Sequence, residues 1–153
     1  MNKIYTATEE DIACLVKLHT DSFALGYERP WSEDSFKSAL SMTGMKTLIF
    51  KNKNKCTAFL MYRNVLDEAE IILLGVDPDH QRQGYAHNLL QHAIHDLKLA
   101  NVTKIFLDVR EDNHAAIAFY KSCEFKESGL RKGYYHLLNE QIKDAKSLYL
   151  FIK

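Results

Sequence analysis

Between Ile71 and Ala86 the chain turns from strand into helix in a way that few folds can use. The apolar run Ile71 to Val76 halts at Pro78, an amphipathic helix follows Gly84, and the polar stretch Asp77 to Gln83 between them carries the basic Arg82. A strand, a turn and a helix N-terminus in succession expose unpaired backbone N–H groups, a geometry suited to an anion. The segment therefore predicts a phosphate-bearing ligand held by main chain. Taken alone, Gln81-x-x-Gly84-x-Ala86 is a weak motif, because short glycine patterns occur often by chance.

The rest of the chain supplies context. Ile4 to Ala7 reads as a short strand, and Thr8 as an N-cap with Asp11 as the capping-box acid. Ile12, Leu15, Val16 and Leu18 form the apolar stripe of a first helix. Gly26 to Pro30 breaks it, and Ser32 caps a second. Lys46–Phe50, Thr57–Arg63 and Ala69–Val76 are strand-like, with turns at Asn52 to Lys55 and at Asp67-Glu68. Ala86, Leu89, Leu90, Ala93, Ile94 and Leu97 recur at helical spacing. A strand follows at Lys104–Val109, then a helix capped by Asn113 and running through Tyr120, and closing strands at Phe125–Leu130 and Ser147–Ile152. A meander followed by a strand–helix–strand unit predicts a mixed sheet with helices on its faces.

The 153 residues are expected to form one domain, 1–153. Formal net charge is zero, which argues against a nucleic-acid partner. No apolar run approaches the length of about 18 residues of a membrane span, so no membrane association is expected. Cys14, Cys56 and Cys123 are odd in number and widely spaced, predicting reduced thiols that behave as small hydrophobes in a cytoplasmic protein. Of the seven histidines, His92 and His95 share a helical face near His87, but no carboxylate or cysteine spacing completes a zinc site, and no metal is expected.

Three stretches together resemble the GNAT acetyltransferase superfamily, and within it the ribosomal-protein-alanine N-acetyltransferases: Leu66 to Gly84, Leu107-Asp108-Val109-Arg110, and Asn113-x-Ala-Ala-Ile-Ala-Phe-Tyr120. Arg131-Lys132-Gly133-Tyr134-Tyr135 and Pro30-Trp31-Ser32 extend the likeness. It implies a mixed, mostly antiparallel sheet of about seven strands, splayed at a cofactor cleft and flanked by about four helices. It also implies acetyl-CoA as co-substrate. Gln81, Arg82, Gln83, Gly84, Tyr85 and Ala86 would hold the pyrophosphate, and backbone from Leu74 through Gly75 to Val76 would polarise the acetyl carbonyl. Asn113 either caps its helix, contacts the cofactor, or does both. The Arg82 side chain either reaches phosphate or stays solvated.

Tyr120 matches the family's tyrosine that protonates the departing thiolate; otherwise it is a helix tyrosine packed on the sheet. Asp108 stands where the closest family members carry a glutamate base. It is one methylene shorter and needs a water to reach the amine. Its other reading is a salt-bridged strand acid, and Glu70 is a second candidate base. The resemblance sets Trp31, Leu73, Tyr134 and Tyr135 on the acceptor side, with Leu73 replacing a polar residue. Glu124 replaces a glycine that would end a helix in the left-handed region, at a cost of about 1 kcal/mol.

The activity implied is acetyl transfer to a primary amine without a covalent enzyme intermediate. A protein N-terminus, of the ribosomal-protein alanine type, is the expected acceptor. A polyamine or other small amine is the alternative, as is a catalytically weak acyl-CoA-binding module. The chain is expected to be a monomer or a homodimer.

Overall fold

The computed structural model describes residues 3–22, 31–137 and 140–153. Among them a seven-stranded sheet runs in the order β1-β2-β3-β4-β5-β7-β6. The strands are β1 Lys3–Thr6, β2 Met45–Asn52, β3 Lys55–Val65, β4 Glu68–Val76, β5 Lys104–Arg110, β6 Lys126–His136 and β7 Ile142–Phe151. The helices are α1 Ile12–Ser22, α2 Glu33–Leu40, α3 Tyr85–Leu99 and α4 His114–Ser122. Every strand pair is antiparallel except β4 with β5, so the sheet is mixed and mostly antiparallel as expected.

Local chemistry sets the element ends. Thr8 and Asp11 form the expected capping box, and the Ser32 hydroxyl accepts from Ser35 N–H at the start of α2. Asn113 caps α4 by accepting from Ala116 N–H at 3.2 Å. After α4 the chain passes through Glu124 at φ 72°, in the left-handed region, so the glycine-like helix end is kept despite its strain. The Gly26–Pro30 break lies outside the described residues.

Alternation along the strands divides the apolar residues between two cores. On one face Leu48, Leu60, Ile71, Ile105, Leu107 and Leu148 meet Leu89, Leu90, Ala93 and Leu97 of α3 and Ile117 of α4. On the other, Ile49, Phe59 and Met61 meet Leu15 and Leu18 of α1 and Phe36 of α2. His19 lies in this second core, 1 % exposed and edge-on to the rings of Phe36 and Phe59. Burial pushes its pKa down to about 4, so it sits there neutral.

One expectation is corrected. Cys14 on α1 and Cys56 on β3 are disulfide-bonded, with Cα atoms 6.3 Å apart, leaving Cys123 as the free thiol. The two cysteines are 42 residues apart in sequence, and only the packing of α1 across β3 makes them neighbours. No described helix is long and apolar enough to cross a membrane.

Unfolded without reductant, the protein should show one reactive thiol per chain, rising to three after reduction; three at the outset would show the pair open. Cys14→Ser should lower the unfolding free energy by about 3–4 kcal/mol, the entropy of the loop it releases. His19 takes up a proton on unfolding wherever the pH lies between about 4 and its ordinary value of 6.5. Stability should therefore fall as pH drops through that window, by up to on the order of 3 kcal/mol. Denaturant titrations across the window should show a shallower slope for His19→Leu.

Candidate active site

The cleft originates in a ladder that stops. Strands β4 and β5 pair only at Glu68–Lys104, Ala69–Ile105 and Glu70–Phe106. Beyond Glu70 they part, while β4 stays paired with β3 and β5 with β7. A bulge at Ile72, where Met61 faces Leu73 and Tyr62 faces Ile71, bends β4 at the point of divergence. Alternate N–H groups on the β5 side of Ile71 to Val76 are thereby released from the ladder. Gly75 is required by its neighbours: a Cβ there would lie 2.7 Å from both the Phe59 ring and the Ser22 hydroxyl.

The opening is a cleft of about 620 Å³. At its far end the turn after β4 is pinned by Asp77, whose carboxylate accepts from Asp79 N–H at 3.0 Å with Lys55 Nζ at 3.3 Å. The Asp79 N–H bond, then Lys55, holds that carboxyl below its ordinary pKa. Gln81 Nε2 donates to the Val76 carbonyl at 3.4 Å. Arg82 at φ 62° and Gly84 at φ 86° are both left-handed, just ahead of α3. A Cβ on Gly84 would meet nothing within 4 Å, so the space beside it is open. The N-terminus of α3 adds about half a positive charge. Open space, left-handed backbone and a helix end together make an arrangement suited to an anion.

The side chains of β5, α4 and β6 form the other wall. Tyr120 lines the cleft yet is 5 % exposed, with ring centroids 5.2 Å from Phe119 and 5.3 Å from Phe125. Burial pushes its phenol pKa up, so it keeps its proton at neutral pH. Asn113 caps α4 and lines the cleft as well. Asp108 points away from the core residues Leu107 and Val109, lines the cleft, and has a side chain only 8 % exposed. Tyr135 lines the cleft and donates its hydroxyl to the Asp108 carbonyl at 3.2 Å.

Of the residues read from sequence, Leu73, Leu74, Gly75, Val76, Gln81, Arg82, Gly84, Tyr85, Ala86, Asp108, Asn113, Tyr120 and Tyr135 come together around this one opening. Glu70, Gln83, Trp31 and Tyr134 lie outside the lining. Glu70 sits on β4 opposite Arg63; burial, then the Asp108 charge, pushes its pKa up. Trp31 packs against the second core, its ring 5.3 Å from Phe36. Tyr134 is half exposed beneath the Arg131 guanidinium. Sequence reasoning did not single out Ser22, His80, Phe119 or Ser122, which also line the opening. His80 was legible as part of the turn; Ser22 reaches the cleft only because α1 crosses β4.

Comparison with known proteins agrees with this geometry. Residues 12–125 match the acetyltransferase (GNAT) family. The chain is 36 % identical over 135 residues to the [ribosomal protein bS18]-alanine N-acetyltransferase of Escherichia coli K12, covering 88 % of each. It is 30 % identical to the protein of that name from Haemophilus ducreyi, covering 97 % of this chain and 99 % of the relative. The crystal structure of the E. coli ribosomal-protein-S18-alanine N-acetyltransferase superposes with a TM-score of 0.89 at 34 % identity, over 100 % of this chain and 95 % of that one.

Gly84→Ala tests the cradle. A Cβ at φ 86° costs about 1 kcal/mol of stability and intrudes on the open side of the loop. Calorimetric titration should show acetyl-CoA affinity reduced roughly tenfold in a folded protein. Binding at wild-type strength would move the phosphates away from this loop.

Proposed function

The chain belongs to the GNAT family of acetyltransferases, and from that premise we propose that it acetylates the α-amino group at a protein N-terminus, the N-terminal alanine of a ribosomal protein. The observation that carries this reading is the 36 % identity to the E. coli enzyme across 88 % of the chain. The cleft geometry agrees with a donor of the acetyl-CoA type, the co-substrate this family uses. The proposal places the enzyme in the cytoplasm, where ribosomes are.

The residues take the following parts. Main chain from Gln81 to Ala86 holds the pyrophosphate, with Asn113 alongside the donor. The acceptor arrives as an ammonium, and the Asp108 carboxylate takes one proton from it through a water. The freed nitrogen lone pair attacks the thioester carbonyl carbon, forming the C–N bond and placing negative charge on oxygen. Released N–H groups of β4 near Leu74 to Val76 stabilise that charge. As the carbonyl re-forms the C–S bond breaks, and the thiolate takes the phenol proton of Tyr120. The remaining excess proton on nitrogen returns to the phenolate. Between the two carboxylates, Asp108 is favoured over Glu70 because Asp108 lines the cleft. Leu73 and Tyr135 border the acceptor, and Trp31 and Tyr134 act from outside the lining.

Release of free CoA thiol is the direct test. A peptide with the N-terminal alanine of a ribosomal protein should drive it, and the same peptide with a blocked N-terminus should not. Faster release with a polyamine would transfer the acceptor to the small amines. Acetyl-CoA binding without amine-dependent release would reduce the protein to a binding module. Tyr120→Phe should lower kcat by about 10²-fold while sparing acetyl-CoA affinity; unchanged turnover would remove Tyr120 from the acid role.

A further inference from the structure

An aspartate in place of a longer acid has less reach, so its orientation matters more. Asp108 pairs directly across the sheet with Ser147 of β7. The Ser147 hydroxyl donates to Asp108 Oδ1 at 2.6 Å, the length of a strong charge-assisted bond. Arg131 Nε of β6 lies 3.6 Å from the same oxygen, but its side chain is 57 % exposed and its hold is screened. Among the described residues no donor reaches Oδ2. Glu70 on β4, with Arg63 opposite it on β3, is near enough for the Asp108 charge to act on it, and Arg82 and Arg110 also line the cleft.

The setting of Ser147 is specific. Its strand neighbour Leu148 is fully buried in the first core, which fixes the face Ser147 presents. On its other side the β6 partner is Gly129, across a bulge at Ser128. Ser147 is half-buried and does not line the cleft, so it touches the reaction only through Asp108.

We infer that Ser147 is the positioning residue of the cleft carboxylate: it anchors Oδ1 against the sheet and turns Oδ2 towards the water that carries the acceptor proton. The inference rests on Asp108 being the base. Without the hydroxyl, the carboxylate swings towards Arg131 and the water loses its acceptor.

Single and double variants decide the matter. Ser147→Ala should lower kcat about tenfold with acetyl-CoA affinity unchanged, and Ser147→Thr should restore most of it. In an Asp108→Asn background, Ser147→Ala should cost roughly twofold or less, because the group it orients is gone. An equal fold-loss in both backgrounds, or wild-type turnover in Ser147→Ala, overturns the positioning role and leaves the base intact. Wild-type turnover in Asp108→Asn alone overturns the base reading, and this inference with it.

Discussion

The site depends on a backbone ladder that ends too soon. Strands β4 and β5 share three residue pairs and then diverge. A sheet interior normally satisfies every N–H, because an unmade hydrogen bond there costs about 1–3 kcal/mol. Here the deficit is tolerable because the gap is open to solvent or to a ligand that supplies acceptors. The opening is held by structure on both sides. The Ile72 bulge bends β4 away, and it also gives both Ile72 and Leu73 to the second core, tying the bend to α1 and α2. Ladders to β3 and β7 keep each strand rigid, so the gap does not simply close.

The two ends of the cleft use different chemistry, and this governs what each can select. The end beside α3 is built from main chain, with two left-handed residues and a helix N-terminus. Such a cradle recognises negative charge and shape and is indifferent to most side chains. The opposite wall is built from side chains, with Asp108 and Tyr135 lining the opening and Glu70, Ser147 and Arg131 grouped around Asp108. Burial, and after it the charge of Asp108, disfavours ionisation of Glu70 and pushes its pKa up. Arg131 and Arg63 act against that rise.

This division explains what was legible in the sequence. The turn between β4 and α3 was readable because backbone geometry leaves marks on residue type: Pro78 ends the run, and Gly84 permits φ 86°. The pattern of α3 was readable because its buried residues recur at helical spacing. Edge strand β6 was cut short at Leu130, when it continues to His136, because almost every residue along it is exposed and no alternation marks its course. Its partner β7 begins at Ile142, five residues before the expected start, for the same lack of apolar signal. His19 was missed because a histidine reads as polar, whereas rings packed around it keep it neutral in a core. The Cys14–Cys56 pair was invisible because it depends on how a helix crosses a strand.

Asp108 shows where pattern reading stops and geometry begins. Alternation put it on the face opposite Leu107 and Val109, and the structure agrees. Alternation could not say which strand lies beside it, because β7 enters between β5 and β6 out of sequence order. Ser147 is 39 residues further on, in a stretch with no motif, and becomes a neighbour only through that insertion. A cross-strand hydroxyl, that of Ser147, holds one oxygen of this short acid. The pair spans two strands, and a search along either segment alone would not find it.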